Sequence, residues 1–185
     1  MIRILDFIFS LLLIVFSFPL TFTIFVISSI KKIPPFFFQE RVGLNKKPFI
    51  LIKFRTMHPN TKSVASHLVD PKLVYPFGRF LRKSKIDELP QLLNVLKGDM
   101  SLVGPRPCLF NQKELIHERE KRNIFNFQPG ITGLAQIKSI DMSNPRILAE
   151  TEMEMITNFN IKNYFIYLFF TLLGRGFGDK IERKK

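Results

Sequence analysis

A long apolar stretch stands at the N-terminus of the chain. No ionisable side chain occurs in residues 7–30, and as an α-helix this stretch is about 36 Å long, against about 30 Å for the hydrocarbon core of a bilayer. A signal peptide is disfavoured because the stretch is long and no small-residue cleavage site follows it. The pattern predicts a membrane helix that contains Pro19, a residue without an N–H whose ring clashes with the carbonyl of Val15.

The charges around this stretch bear on its orientation. Lys31 and Lys32 follow it directly, and three more cations come soon after, at Arg41, Lys46 and Lys47. This excess of Lys and Arg places the flank in the cytoplasm. Two geometries fit the pattern: a single crossing with the N-terminus outside, or a helix–break–helix that enters and leaves at the same face. The physics of the sequence alone favours the crossing.

The next part of the chain alternates between strand-like and helix-like patterns. Residues 36–41 and 49–55 are aromatic and β-branched runs joined by a turn at residues 43–47, which predicts a β-hairpin. Residues 58–76 are polar with scattered prolines and predict a loop. Leucines spaced at i, i+3, i+4 and i+7 predict a helix over residues 85–96.

Two more helices and one ambiguous run follow. Residues 111–122 are rich in charge and predict a helix with a solvated face. Residues 129–133 predict a turn, and the Asn-Pro pair at the start of residues 144–159 predicts the beginning of a helix. Residues 164–173 are apolar but too short to span a bilayer, so they belong either to the core or to an element lying in the membrane interface.

The composition divides the chain into two parts. Only Arg3 and Asp6 carry charge within the first 30 residues, whereas the whole chain of 185 residues has a formal net charge of +13. We therefore expect a membrane element in residues 1–33 and a basic, water-facing domain in residues 34–185. An apolar content of 46% excludes a disordered chain, and a single cysteine excludes a disulfide framework and a Cys-rich zinc site. A basic surface suits nucleic acid, anionic lipid or a phosphorylated substrate.

A pair of adjacent carboxylates is the first indication of chemistry. Asp87 and Glu88 fall in the first turn of the predicted helix, for which Ser84 is the predicted N-cap. Free N–H groups and the helix dipole at such a position can bind a phosphate. Acidic residues are also ordinary in a first turn, where they complement the dipole, and without other information that reading is the more frequent one.

Cations flank this pair in the sequence. Arg82 precedes it, Lys53 lies near the end of the second predicted strand, and Arg106 stands between two prolines that fix its backbone. A guanidinium held rigidly binds phosphate in a bidentate manner. A carboxylate pair among fixed cations beside a membrane suggests phosphoryl chemistry on a lipid-associated substrate. Cys108 is expected to be a packed thiol rather than a nucleophile.

Seven motifs in a fixed order resemble one family. They are QERVG at 39–43, KFRTM at 53–57, GRFLR at 78–82, DELPQL at 87–92, KGDMS at 97–101, GPRP at 104–107 and PGITGLAQ at 129–136. Together they resemble the bacterial sugar transferase family, the monotopic phosphoglycosyl transferases, over residues 1 to about 137. The resemblance implies a helix-rich α+β fold, with an N-terminal re-entrant membrane helix, a short β-hairpin and interfacial amphipathic helices around a cytosolic catalytic domain.

The resemblance also implies a reaction. Members of the family transfer a sugar 1-phosphate from a UDP-sugar to polyprenyl phosphate and release UMP, at the cytoplasmic face of the bacterial inner membrane. By analogy Asp87 is the nucleophile that forms a phosphosugar intermediate, Glu88 holds Mg²⁺, and Arg106 binds phosphate. The other substrate-binding residues implied are Lys53, Arg82 and Asp99. Because the family implies a re-entrant helix, we expect that geometry rather than the crossing.

Two departures from the family pattern bear on these expectations. Phe18 precedes Pro19 where members often have Ser, which concerns the re-entrant helix, and Ile140 stands where many members have Arg, which concerns sugar choice. Residues 141–179 resemble members that handle N-acetylated 6-deoxyhexoses. The further partner is expected to be a second copy of the chain or a downstream glycosyltransferase.

Two functions other than the transferase are compatible with parts of the sequence. A nucleic-acid-binding module fits the charge of +13, but no aromatic-rich binding motif accompanies the basic clusters, so no nucleic acid is expected as a partner. The second rival is a membrane-tethered scaffold of a glycan assembly complex without catalysis, and the intact Asp87–Glu88 pair argues against it.

Overall fold

A long N-terminal helix and a helix-rich domain make up the computed structural model of the chain, which describes residues 1–59, 61 and 70–175. The helices are α1 (Ile2–Ile30), α2 (Pro76–Lys83), α3 (Gln91–Lys97), α4 (Lys113–Glu120), α5 (Leu134–Ile137), α6 (Pro145–Thr157) and α7 (Ile161–Leu172). The strands are β1 (Phe36–Val42), β2 (Pro48–Phe54), β3 (Ser101–Val103) and β4 (Gly130–Thr132). The predicted helix-rich α+β class is confirmed.

The first two strands form the predicted hairpin. They pair antiparallel, with Phe36 opposite Phe54 and Val42 opposite Pro48. In the connection Asn45 has a left-handed φ of 50°, a conformation that Asn adopts more readily than most residues. Because β2 packs against α3, the hairpin carries the end of β2 to the centre of the domain.

A second sheet of two short strands replaces one predicted turn. β3 and β4 pair in parallel, with Ser101 opposite Gly130 and Val103 opposite Thr132. The turn predicted around Gly130 is therefore wrong, since strands of three residues are too short to show a hydrophobic period. A Cβ added at Gly130 would lie 2.0 Å from the backbone nitrogen of Gly104. Glycine is required where the two chains approach this closely.

The helix predicted over residues 85–96 is interrupted. Ser84, the predicted N-cap, instead ends α2, and a 3₁₀ turn over Ile86–Glu88 precedes α3. Lys85, between α2 and this turn, has a left-handed φ of 60°. Pro90 accounts for the interruption, because it has no N–H with which to continue an α-helical hydrogen-bond ladder.

The loop predicted over residues 58–76 is only partly described. Residues 60 and 62–69 lie outside the described part of the chain. The rest holds a 3₁₀ turn over Pro71–Leu73 and an isolated bridge from Val74 to Met57, just before α2 begins. The prediction is confirmed for the described residues apart from these short elements.

Helix α4 is less solvated than its charged composition predicts. Arg119 is only 2% exposed and forms an ion pair with Glu152 of α6, with 2.5 Å between Nη2 and Oε1. The same nitrogen donates a hydrogen bond of 2.8 Å to the carbonyl of Arg106. The predicted solvated face is therefore wrong at this position, because charge spacing along α4 cannot show a partner that comes from another helix.

The last two helices form where the pattern places them. α6 begins at Pro145, and Asn144 caps it by accepting a hydrogen bond from the N–H of Ile147. In α7 Tyr164 is fully buried, whereas Phe169 is 58% exposed. The core alternative for residues 164–173 is therefore confirmed for one face of α7, while the other face presents apolar side chains at the surface.

Helix α1 contacts the domain near both of its ends. Close to its N-terminus the buried carboxylate of Asp6 accepts hydrogen bonds from the N–H of Leu102 and from the hydroxyl of Tyr164. Close to its C-terminus Ile24 is buried in a cluster with Phe54. The domain is therefore in contact with both ends of a helix that is about 43 Å long.

The middle of α1 is apolar and exposed. Pro19 lies within this helix, where its missing N–H removes one hydrogen bond and its ring favours a kink. Phe16 and Phe18 are among its exposed side chains. By length and composition α1 is able to cross a membrane.

The buried Arg119–Glu152 pair leads to a stability prediction. Glu152→Ala leaves the buried guanidinium without its carboxylate, and we expect it to lower the free energy of unfolding by about 3–5 kcal/mol. Glu154→Ala is the matched control on the same helix, since Glu154 forms an exposed ion pair with Lys138 and its loss should cost at most about 1 kcal/mol. Thermal unfolding in detergent measures both, and equal shifts in the two variants would contradict the prediction.

Candidate active site

The two adjacent carboxylates lie at the junction of three elements. Asp87 and Glu88 occupy the 3₁₀ turn between α2 and α3, and the end of β2 packs against this turn. The N–H of Glu88 donates to the carbonyl of Lys85, which closes the turn. Both side chains are buried, with 6% and 7% of each residue exposed. Two carboxylates in so little solvent require compensation from nearby positive charge.

Glu88 receives this compensation from two cations. Its Oε1 lies 3.1 Å from Nζ of Lys53 and 2.5 Å from Nη2 of Arg106. Lys53 comes from β2 and Arg106 from the segment that follows β3, so the fold brings together groups that are distant in sequence. Arg119 holds the carbonyl of Arg106, which fixes the backbone beneath the guanidinium.

Asp87 differs from its neighbour in its contacts. Among the residues that the structure describes, no side chain donates a hydrogen bond to its carboxylate. Lys53 and Arg82 act on it only through their charge. Its oxygens are therefore available to a ligand, whereas Oε1 of Glu88 is occupied.

The two carboxylates also differ in their acidity. Burial, together with the neighbouring charge of Glu88, raises the pKa of Asp87 to about 6 against the opposing pull of Lys53. Burial acts in the same direction on Glu88, but the charges of Arg106 and Lys53 outweigh it and hold the pKa of Glu88 well below its usual range. Burial lowers the pKa of Lys53 to about 8. At neutral pH the carboxylate of Glu88 is thus held firmly in its charged form, whereas the carboxylate of Asp87 is the more basic of the two.

The remaining predicted residues lie at different distances from the pair. Arg82, on the last turn of α2, has Nη1 4.0 Å from Sδ of Met57, and its charge reaches Asp87. Asp99 lies beyond the opposite end of α3, where its carboxylate accepts a hydrogen bond from Asn94. The structure therefore gathers Lys53, Arg82 and Arg106 around the pair and does not bring Asp99 to it.

Two cations near the pair were not predicted as site residues. Arg41 donates a 3.0 Å hydrogen bond to the carbonyl of Pro107, so it holds the far side of the segment that carries Arg106. Lys85 acts through its charge on both Asp87 and Glu88. The sequence does place Arg41 in a family-like motif, but nothing in the spacing distinguishes it from a solvated arginine. Cys108 is buried, as predicted.

An apolar cleft of about 610 Å³ opens beside the pair, and we name it the α1–α7 cleft. Its walls come from α1, α3 and α7 and are formed by Phe9, Leu13, Leu92, Phe165, Leu168 and Leu172. Glu88 and Lys85 line one part of it, and Gln136 and Arg175 line it as well. The cleft was not predicted, because its walls come from three helices whose packing the sequence pattern does not reveal.

The residues of the site are compatible with Mg²⁺. Within the described part of the chain no group of three or more His, Cys, Asp or Glu side chains is suited to enclose a metal ion. Mg²⁺ in enzymes of phosphate transfer is held by one or two carboxylates together with substrate phosphates and waters. The carboxylate of Glu88 can supply one such donor, so the fit depends on a phosphorylated substrate.

Comparison with known proteins adds to this picture. EpsL of Bacillus subtilis, named as an uncharacterized sugar transferase, is 52% identical over 116 residues, which cover 63% of this chain and 57% of the relative. The UDP-glucose:undecaprenyl-phosphate glucose-1-phosphate transferase of Caulobacter vibrioides is 41% identical over 130 residues, which cover 64% of this chain and 49% of the relative.

A third relative matches more of the chain. The UDP-N-acetylgalactosamine-undecaprenyl-phosphate N-acetylgalactosaminephosphotransferase of Aeromonas hydrophila is 35% identical over 159 residues, which cover 80% of this chain and 37% of the relative. The chain therefore spans less than two thirds of the length of each of these relatives.

The family profile covers nearly the whole chain. The profile described as bacterial sugar transferase matches residues 1–175. This range includes α1, the carboxylate pair and the segment that carries Arg106. The chain belongs to the bacterial sugar transferase family.

Proposed function

We propose that the protein transfers a sugar 1-phosphate from a UDP-sugar to polyprenyl phosphate, and so begins glycan assembly on a lipid carrier. The observation that carries the proposal is the unequal carboxylate pair: no side chain in the described part of the protein donates a hydrogen bond to Asp87, while Glu88 is held by Lys53 and Arg106. The names of relatives that act on UDP-glucose or UDP-N-acetylgalactosamine and undecaprenyl phosphate support the same reaction type.

In the proposed first step, a carboxylate oxygen of Asp87 attacks the β-phosphorus of the UDP-sugar. The new O–P bond forms while the bond from that phosphorus to the bridging oxygen breaks, and the oxygen leaves with UMP. The sugar phosphate remains on Asp87. The raised pKa of Asp87 makes its carboxylate a more basic nucleophile that is still mostly ionised at neutral pH. Lys53 and Arg106 lie where they can stabilise charge on the phosphoryl oxygens.

In the proposed second step, a phosphate oxygen of polyprenyl phosphate attacks the same phosphorus. The P–O bond to Asp87 breaks, the carboxylate is regenerated, and the product is polyprenyl diphosphate sugar. No redox partner is needed, and the order of events is ping-pong. Splitting the transfer in this way allows a soluble donor and a membrane-bound acceptor to use one site in turn.

Mg²⁺ is the cofactor that we propose for this site. Glu88 would hold it together with the substrate phosphates. When bound, the ion neutralises negative charge on the transferred phosphoryl group. The tightly held charge of Glu88 suits this role, because its lowered pKa keeps the carboxylate ionised through the physiological range.

We further propose that α1 enters the membrane and does not cross it. Both ends of the helix contact the same domain, through Asp6 at one end and Ile24 at the other, whereas a crossing helix would place one end about 30 Å away across the bilayer. The exposed apolar middle of α1 then lies in the lipid. The lysines that follow the helix support an arrangement with both ends and the domain on the cytoplasmic side, at the bacterial inner membrane.

The sugar that we propose is an N-acetylated 6-deoxyhexose. The support is the resemblance of residues 141–179 to members that handle such sugars, of which residues 176–179 lie outside the described part of the chain. The relatives above are named for glucose and N-acetylgalactosamine, so the family accepts several sugars. A panel of UDP-sugars, with release of UMP as the readout, identifies the donor.

The reaction is tested with purified protein, undecaprenyl phosphate, Mg²⁺ and a UDP-sugar. We expect release of UMP, and Asp87→Asn should lower its rate by at least about 1,000-fold because the nucleophile is lost. Asp70→Asn is the control, since this exposed aspartate makes a local hydrogen bond at Lys72, and its rate should match the wild type. Release of UDP instead of UMP would refute the reaction, and full activity of Asp87→Asn would refute the role of Asp87.

The membrane arrangement is tested by labelling single cysteines in intact spheroplasts with a membrane-impermeant maleimide. With Cys108 replaced by Ala, we expect Ile2→Cys and Lys32→Cys to react only after the membrane is opened, because both ends of α1 face the cytoplasm. Lys121→Cys, on the exposed surface of the domain, marks cytoplasmic reactivity. Labelling of Ile2→Cys in intact spheroplasts would show a crossing helix.

A further inference from the structure

The α1–α7 cleft connects the carboxylate pair to the membrane helix. Its walls are apolar side chains of α1, α3 and α7, so its occupant must offer hydrocarbon to them. Because α1 supplies one wall and its apolar middle is exposed, a hydrocarbon chain can pass from the bilayer into the cleft without crossing water. Glu88, the neighbour of the proposed nucleophile, also lines the cleft.

Gln136 is a buried polar side chain without a partner in this apolar cleft. The residue is 9% exposed, and neither Nε2 nor Oε1 of its amide has a hydrogen-bond partner among the described residues. Such groups are rare in native structures, because a buried amide that gives up water normally gains another partner. The free donor and acceptor of Gln136 therefore indicate a ligand group that is polar and lies within the cleft.

Two cations and one anion line the cleft, and the anion, Glu88, is already paired with Lys53 and Arg106. Lys85 and Arg175 both line it, and the guanidinium of Arg175 is positioned 4.1 Å from the ring centroid of Phe170. Two cations and an amide donor beside apolar walls match a molecule with an anionic head and a long hydrocarbon chain. A nucleotide sugar lacks such a chain, so the walls do not match the donor substrate.

We infer that the α1–α7 cleft is the acceptor site, that its apolar walls bind the isoprenoid chain, and that the Gln136 amide donates a hydrogen bond to the lipid phosphate. This inference rests on the proposed function. It assigns Gln136 a part in the second step alone, because the cleft serves the acceptor and not the UDP-sugar. Lys85 and Arg175 attract the phosphate toward the carboxylate pair.

The test separates the two half-reactions. With Gln136→Leu, which has a similar size and no donor, we expect the burst of UMP without acceptor to be unchanged and the KM for undecaprenyl phosphate to rise by about 10-fold or more. Gln136→Glu should raise this KM further, because its carboxylate repels the lipid phosphate. An unchanged UMP burst also shows that the variants are folded.

The walls of the cleft have their own pair of variants. Leu168→Asn places an amide in the wall and should raise the KM for undecaprenyl phosphate. Leu173→Asn is the matched control, since Leu173 is exposed at the end of α7 and does not line the cleft. The same KM in both variants would contradict the assignment of the walls.

Binding is also measured without turnover, so that failure of the inference can be told from failure of the proposed reaction. A polyprenyl phosphate with a photoreactive group in its chain should label α7 and the N-terminal half of α1, as identified by peptide mass spectrometry, and excess unlabelled undecaprenyl phosphate should prevent the labelling. Labelling elsewhere overturns the inference.

The Gln136 variants can also overturn it. A loss of the UMP burst in these variants, or a rise in the KM for the UDP-sugar alone, would contradict the inference. Absence of any UMP release from the wild type refutes the reaction, and the photolabelling then still decides whether the cleft binds the lipid.

Discussion

The ion pairs of Glu88 with Lys53 and Arg106 are the interaction on which the site depends. Two adjacent carboxylates that are both more than nine-tenths buried repel each other and have lost most of their water. The two cations compensate Glu88 directly, so its charge persists, while Asp87 is influenced only through space. This division gives neighbouring and chemically similar residues different properties, as the proposed roles of nucleophile and metal ligand require.

The rest of the domain holds these cations in place. Lys53 is positioned by the hairpin, whose second strand packs against α3. The segment with Arg106 is fixed from below by the buried Arg119–Glu152 pair and from the side by Arg41. The close approach of Gly104 and Gly130 brings this segment next to β4. Much of the fold outside the membrane helix thus serves to bring two positive charges to one carboxylate oxygen.

The local sequence pattern predicts the elements that depend on neighbouring residues. It does not predict the features that depend on packing between distant segments. The hairpin, the start of α6 and the apolar helix α1 follow from periodicity, turn residues and capping, and they are found where predicted. The helix predicted over residues 85–96 is found only from Gln91 onward, because Pro90 interrupts it despite a regular leucine pattern. Arg119 is wrongly predicted to face solvent because its partner lies on α6. The α1–α7 cleft is not predicted because its walls come from different helices. In the candidate site the resemblance identifies Lys53, Arg82 and Arg106 near the pair, whereas Asp99 lies at the other end of α3.

The position of α1 and the adjoining cleft would allow one site to serve two substrates of opposite character, as the proposed reaction requires. Under the proposed reaction a water-soluble nucleotide sugar charges Asp87, and a lipid phosphate then removes the sugar phosphate. The most direct measurement is the intact mass of the protein after incubation with its UDP-sugar and Mg²⁺ in the absence of polyprenyl phosphate. The account predicts an added mass of one sugar phosphate, located on Asp87 and lost when the lipid phosphate is added. Product formation from a protein that never carries this mass, or carries it on another residue, would contradict the account.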